Sequence, residues 1–364
     1  MNSDIIKNPL ISVIVLSYNN FEYYEECFNS ILSQSYNNIE IVISDDGSNN
    51  FKQEELLTHI ATNNKNNIKN VTININEKNL GVVKNYNKAI SLSNGDYIFY
   101  LAIDDIFYDD MVLEDVVKYF EETGELIFTG YKDVYDSEMN KYIKTLPREN
   151  EVGFLKSNNP QLLYEKLCIG SFISGSNTPF SKKLIDKYGY LDEEYYYLED
   201  YPKYLKLTRS GCNISFFNRK LIKYRMGGVT TNGKISDLLR KDLRLATLKE
   251  CKKYFLDVWQ NIDLNNKKII GWGTGDCCIN SLGYLKEKIS YLVDSNEKLH
   301  GSEVNGIGIY SPKQLLNEKK ANVFIFIFSY ANYFDISCEL EKMGFEEKEN
   351  FFCCTPNILE IVNK

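Results

Sequence analysis

Histidine is scarce in this chain, with only His59 and His300 among 364 residues. A histidine-rich metal centre is therefore excluded. The nine cysteines are odd in number and include no Cys-x-x-Cys pair. Neither a disulfide framework nor a cysteine zinc site is supported, and a reducing cytoplasm is the simplest setting. Long apolar runs are missing too. The longest, Tyr97 to Ile103 and Val323 to Phe328, fall far short of the ~20 residues that span a bilayer. Met1 to Leu10 lacks the apolar region of a signal peptide. These absences predict a soluble or peripheral protein, cytoplasmic or at the inner face of the membrane. Positive charge is also in deficit, with 42 Lys and Arg against 50 Asp and Glu and a net charge of −8. No basic stripe is present, so a general nucleic-acid partner is excluded. An acidic chain can still bind a nucleoside diphosphate, given a metal ion, local Lys or Arg, or helix N-termini.

What is present is a chain long enough for two domains and 43% hydrophobic, as a sizeable core requires. Ile11 to Leu16 and Ile39 to Ser44 read as buried parallel strands, being near-continuous and rich in β-branched residues. Asn20 to Gln34 has helical spacing, with Tyr24, Cys27, Ile31 and Leu32 on one face. Val71 to Ile75 and Asp96 to Ile103 read as the third and fourth strands, separated by a helix over Gly81 to Leu92. This βαβα order predicts an α/β, doubly wound sheet with its functional loops at the carboxyl ends of the strands. Further on, Leu126 to Lys144 reads as a hairpin, and Asn158 to Leu167 and Tyr201 to Arg209 as helices. Ile235 to Trp259 reads as one long amphipathic helix, leading to a polar linker over Asn261 to Lys268. The expected division is a first domain over residues 1–232, a helical connector over 233–266 and a small Rossmann-like α/β domain over 267–364.

Four segments carry the chemistry: Ser12 to Asn19, Ile41 to Ser48, Asn79 to Asn87 with Gly95 to Ile98, and Leu101 to Asp105. Tyr18 and Asn19 follow the first strand, where an aromatic ring can stack on a nucleobase. Asp46 follows the second strand, where a carboxylate can accept from a base N–H. Asp45 reads equally well as a turn residue. Asp104 and Asp105 close the fourth strand, a placement that suits a hard divalent cation bridging two phosphates.

Taken in order, these segments closely resemble inverting family-two glycosyltransferases of the GT-A fold, of bacterial surface-glycan type, over about residues 10 to 230. The resemblance implies transfer of a hexosyl or N-acetylhexosaminyl group from a UDP-sugar, with Mn²⁺ or Mg²⁺, to a glycan, lipid-linked or protein acceptor. It implies donor contacts from Ser17, Tyr18, Asn19, Asp46 and Asp104, and metal ligation by Asp104 and Asp105. The family pattern is Asp-x-Asp-Asp, and Ala102 stands here in place of the first, ribose-side carboxylate. Asp200, in Glu199-Asp200 before a helix with an early proline, corresponds to the general base; the same residue also reads as a helix cap. Tyr197 and Glu199 beside it, and the small-residue loop Ser174, Gly175 and Ser176, correspond to the sugar and acceptor pocket. Tyr224 to Gly228 resembles the segment that closes over the diphosphate. Arg225 and Lys84 are candidate diphosphate contacts or plain surface charges.

The carboxy-terminal Gly271-Trp272-Gly273-Thr274-Gly275 loop follows a strand, with Asp294 about 20 residues on as in a dinucleotide fingerprint. Its third glycine comes early, so a full NAD site is not expected. Nucleotide binding and a structural or dimerising role both remain open for this domain, and so does a catalytically impaired GT-A-like binding protein for the chain as a whole.

Overall fold

The computed structural model of the chain describes residues 8–227, 236–285 and 288–363. It forms two compact units, Met1–Tyr164 with Phe172–Leu243, and Glu165–Ser171 with Arg244–Lys364.

In the first unit, β1 (Ile11–Ser17), β2 (Ile39–Asp45), β3 (Ile68–Ile75) and β4 (Tyr97–Ala102) form a parallel sheet. A short antiparallel strand, β8 (Phe180–Ser181), completes the order β3-β2-β1-β4-β8. Every residue of β1 and β2 is buried, which is why their sequences run apolar without alternation. The helices Tyr24–Leu32 and Gln53–Asn63 place Cys27, Phe28, Ile31, Leu56 and Ile60 in one core with Val13, Val15, Ile41 and Ile43. Glu40, within β2, is satisfied locally: it accepts from Ser12 Oγ at 2.5 Å and from the Gly95 N–H at 3.0 Å. Strand order reverses between β1 and β4, so their carboxyl ends form the topological switch point where ligands of such sheets bind.

A second sheet of the same unit has the order β5-β9-β6-β7. Its strands are β5 (Ile106–Phe107), β6 (Phe128–Tyr135), β7 (Tyr142–Leu146) and β9 (Ser215–Arg225). The predicted hairpin is the antiparallel β6-β7 pair. Strand β9, parallel to β6, carries Arg219, Lys220, Lys223 and Arg225, a charge pattern that concealed it in the sequence. The helices Gln53–Asn63 and Val112–Thr123 were likewise not expected.

The second unit is a six-stranded sheet: β10 (Lys268–Trp272), β11 (Ile289–Val293), β12 (Glu303–Val304), β13 (Ile307–Tyr310), β14 (Val323–Ile327) and β15 (Phe351–Cys353). The order β12-β13-β11-β10-β14-β15 is parallel except for β12. The glycine-rich loop after β10 closes on itself. Gly273, at φ 101°, donates to Val293 O, and Asp294 accepts from Thr274 Oγ1 at 2.7 Å and from the Asn296 N–H at 2.9 Å.

The stretch read as one helix and a connector is interrupted and packed. Helix Asp237–Ala246 passes through a π turn, Thr247–Cys251, into helix Lys252–Trp259; Ile235 lies outside the described residues. Tyr254 and Phe255 both lie 6.4 Å, centroid to centroid, from Phe352, and Trp259 stacks on Phe326 at 5.5 Å. This helix is part of the second unit because its aromatic face is buried there. Phe255 is fully buried, so Phe255→Ala is expected to cost about 3–5 kcal/mol in the unfolding of that unit, read by urea denaturation with near-ultraviolet circular dichroism. A loss below about 1 kcal/mol would fit a solvated linker helix instead.

Candidate active site

The parallel register sets the site. Ser17 of β1 faces Asp45 of β2, and Leu16 faces Ala102 of β4. The residues that follow these strands therefore emerge at one edge. There they line a cleft of about 650 Å³ that includes Ser17, Tyr18, Asp46, Ala102, Asp104 and Asp105. Ser174, Ser176, Tyr197, Glu199, Asp200 and Arg225 line the same cleft. Residues from six separated segments thus converge on one cavity.

At the β1–β2 end, Tyr18 is 46% exposed, a free aromatic face in the cleft wall. Asp45 ends β2 and its carboxylate ties down the turn that follows: it accepts from Ser17 Oγ at 2.8 Å and from the Ser48 N–H at 2.7 Å. Asp46 pins the next loop, accepting from Asn76 Nδ2 and from the Leu80 and Gly81 N–H groups, each at 2.9 Å. A carboxylate offers about four acceptor positions, so Asp46 keeps capacity toward the cleft. Asn19 does not line it. At φ 49° its N–H donates to Ser48 Oγ and its side chain accepts from the Asn49 N–H, stapling two loops. Asn20 lines the cleft in its place. Lys84 is exposed on its helix and is not among the lining residues.

Asp105 is fully buried. Its Oδ1 accepts from the Arg225 N–H at 2.9 Å, and its Oδ2 has no hydrogen-bond partner. Burial, with the adjacent Asp104 charge, pushes Asp105 up to about 8, and burial also raises Asp104. A buried, orphaned carboxylate oxygen beside a second carboxylate is what an oxygen-seeking cation would satisfy. Among the described residues no group of three or more His, Cys, Asp or Glu side chains could hold a metal. Two carboxylates suffice where substrate phosphates and water complete the shell.

Arg225 is a brace. Its guanidinium donates to Asp104 O at 3.0 Å, Ser137 O at 2.7 Å and Glu26 Oε2 at 2.7 Å, and lies 3.7 Å from the Tyr23 ring centroid. At 3% exposure it aims the Asp104–Asp105 turn, and most of its donors are spent. Gly228, the last residue of that motif, lies outside the described residues.

At the other end, Asp200 Oδ1 accepts from the Tyr201 N–H at 2.6 Å, capping its helix, while Oδ2 accepts from the Gly175 N–H at 2.9 Å. Gly175 belongs there because a Cβ would stand 3.1 Å from Glu199 Oε1 and 3.4 Å from Asp200 Cβ. Gly175 itself faces a small cavity behind the carboxylates. Desolvation raises both Glu199 and Asp200, Glu199 further through the Asp200 charge.

Two important residues were not singled out in the sequence. Lys132, on β6, is buried in the cleft wall and donates to Ser174 Oγ at 2.7 Å. The signal was its period-two alternation with Phe128, Gly130 and Val134, which puts a lysine on the buried face. Asp242 comes from the helix Asp237–Ala246, which was read as connector. Its Oδ2 accepts from the N–H groups of Tyr196, Tyr197 and Leu198 at 2.9, 2.6 and 3.3 Å. That clamp holds the segment leading into Glu199 and Asp200. Asp242→Ala is expected to speed hydrogen exchange of these three amides by about tenfold or more, since charge-assisted bonds contribute ~1.5–3 kcal/mol. Exchange at the parent rate would show that other contacts hold the segment.

No helix among the described residues is long and apolar enough to cross a membrane. Residues 12–189 match the model of glycosyl transferase family 2, and residues 265–351 the model described as C2185-like, N-terminal. An uncharacterized glycosyltransferase of Haemophilus influenzae is 28% identical over 241 residues, 62% of this chain and 68% of that one. One from Rickettsia prowazekii is 27% identical over 252 residues, 68% of this chain and 74% of that one. The solved 1-349 structure of S. aureus TarS is 17% identical, with a TM-score of 0.50 over 68% of this chain and 66% of that chain. This last likeness concerns fold, and it spans just under two thirds of that chain. The first unit is thus a family 2 glycosyl transferase domain of the GT-A fold, and the protein is a glycosyltransferase.

Proposed function

We propose that the chain transfers a sugar from a nucleotide-sugar, with UDP-sugars the first candidates, to a glycan, lipid-linked or protein acceptor. The observation that carries this reading is the convergence in one cleft of three features: an exposed aromatic at the β1 end, a carboxylate pair at the β4 end, and Glu199-Asp200 opposite a close backbone turn. In this reading the nucleobase stacks on Tyr18 and bonds Asp46. Asp104 and Asp105 fit a divalent cation, Mn²⁺ or Mg²⁺, which would supply positive charge against the departing diphosphate. Asp200 takes the proton of the acceptor hydroxyl as that oxygen attacks the anomeric carbon. The bond from that carbon to the diphosphate oxygen breaks on the opposite face, so the configuration inverts and one base suffices. Ala102 removes a ribose-side carboxylate, leaving ribose recognition to the neighbouring residues.

The base assignment is tested by Asp200→Asn, which keeps the size of the side chain and can keep the cap on Tyr201. Transfer should fall ~10²–10⁴-fold with donor affinity nearly unchanged. Transfer at the parent rate would reduce Asp200 to a cap. The parent enzyme also has a predicted pH profile. Its base works deprotonated, and burial raises the Asp200 pKa. Transfer should therefore be lost on acidification at a pH above that of an ordinary aspartate, and the limb should be absent in Asp200→Asn. A rate flat down to pH 4 would contradict a desolvated carboxylate base.

A further inference from the structure

The cleft given above to a nucleotide-sugar is acidic. Glu22, Asp46, Asp104, Asp105, Glu199 and Asp200 line it, against Lys132 and Arg225. A diphosphate bound there needs positive charge beyond one cation. Two residues that the sequence offered for the task are poorly placed for it. Lys84 is exposed and outside the lining, and the Arg225 guanidinium is tied to two carbonyls and to Glu26.

Lys132 is placed differently. It is 7% exposed and lines the cleft from β6. Its Nζ donates to Ser174 Oγ at 2.7 Å and to Ser176 Oγ at 3.4 Å, and lies 4.1 Å from the Tyr224 ring centroid. All three partners are neutral. They fix the ammonium without cancelling its charge, and one N–H remains uncommitted. The charges of Asp105, Asp200 and Glu199 all act on it. Lys132 is thus within electrostatic reach of both the carboxylate pair and the base. In a direct displacement the sugar–phosphate bond breaks between those two places.

We propose that Lys132 is a substrate-contacting residue whose ammonium receives the terminal phosphate of the donor's diphosphate, the one bonded to the sugar. It holds the charge that grows on that phosphate as the sugar departs. Charge-assisted bonds of this kind, made in a site shielded from water, are about twice as strong as neutral ones. The assignment rests on the nucleotide-sugar reading. It also separates a phosphate partner from a carboxylate on the sugar or acceptor, because only the former is present in a free nucleotide.

The test is calorimetric titration of UDP and UMP, and of GDP and GMP, with Mn²⁺ present, against the parent protein, K132M and K132R. The parent should bind the diphosphate more tightly than the monophosphate. K132M should lose about tenfold or more in diphosphate affinity while monophosphate affinity stays within about twofold. K132R should keep most of the diphosphate preference. K132Q, which can still bond Ser174, takes the place of K132M if that variant does not fold. Equal diphosphate affinity in parent and K132M overturns the Lys132 assignment alone. An equal loss for mono- and diphosphate also overturns it, since Lys132 would then shape the cleft as a whole. If the parent binds no nucleoside diphosphate, the nucleotide-sugar reading fails and this assignment fails with it.

Discussion

One buried ammonium and three carboxylates, Asp105 fully buried and Glu199 and Asp200 half-buried, set the terms for this site. Asp105, Glu199 and Asp200 are drawn out of water, and each is raised by desolvation as a result. Left to themselves, such groups would protonate or repel one another out of the cleft. Lys132 offsets their charge from β6, though burial lowers its own pKa. Backbone N–H groups do the rest: Arg225 for Asp105, and Gly175 and Tyr201 for Asp200. Asp105 and Asp200 are therefore fixed in place by the fold alone, as the proposed reaction would require of preorganised groups.

The two ends of the cleft are also joined mechanically. Asp46 holds Leu80 and Gly81 at the start of the helix Val82–Leu92. Gly81, at φ 92°, has no room for a Cβ because the Tyr196 ring would lie 2.7 Å from it. The Tyr196 carbonyl accepts from the Val83 N–H, and Asp242 clamps the Tyr196 N–H and the two that follow. One hydrogen-bonded chain thus runs from the carboxylate at the β2 end to the segment carrying Glu199 and Asp200. A displacement at either end is resisted at the other, so Asp242 supports the cleft through Tyr197 and Leu198 although it does not line it.

The central sheet was legible because β1, β2 and β4 are short apolar runs whose burial admits few other readings. The carboxylates at their ends followed from topology, since parallel strands in register deliver their next residues to one edge. Arg225 was legible as a motif but not as a brace. Its partners Asp104, Ser137 and Glu26 lie 121, 88 and 199 residues away, and no local pattern reports such pairing. Asp242 was hidden for the same reason, 46 residues from Tyr196. Asn19 has a positive φ that turns its side chain to the loop, and it is Asn20 that lines the cleft, which the sequence does not announce. The stretch Ile235 to Trp259 was legible as an amphipathic helix, but not where its apolar face packs, which Tyr254, Phe255 and Trp259 decide. Asp294, which stands where a dinucleotide fingerprint would place an acid, accepts from Thr274 and from the Asn296 N–H within its own loop.

Everything proposed for the cleft depends on where a nucleotide sits. A crystal structure of the protein with a nucleoside diphosphate and Mn²⁺ would test it most directly. The base should lie on the Tyr18 ring with an N–H toward Asp46, the metal should touch Asp104 or Asp105, and the terminal phosphate should lie within hydrogen-bond distance of Lys132. A nucleotide bound instead at the Gly271–Gly275 loop, with the cleft empty, would contradict it.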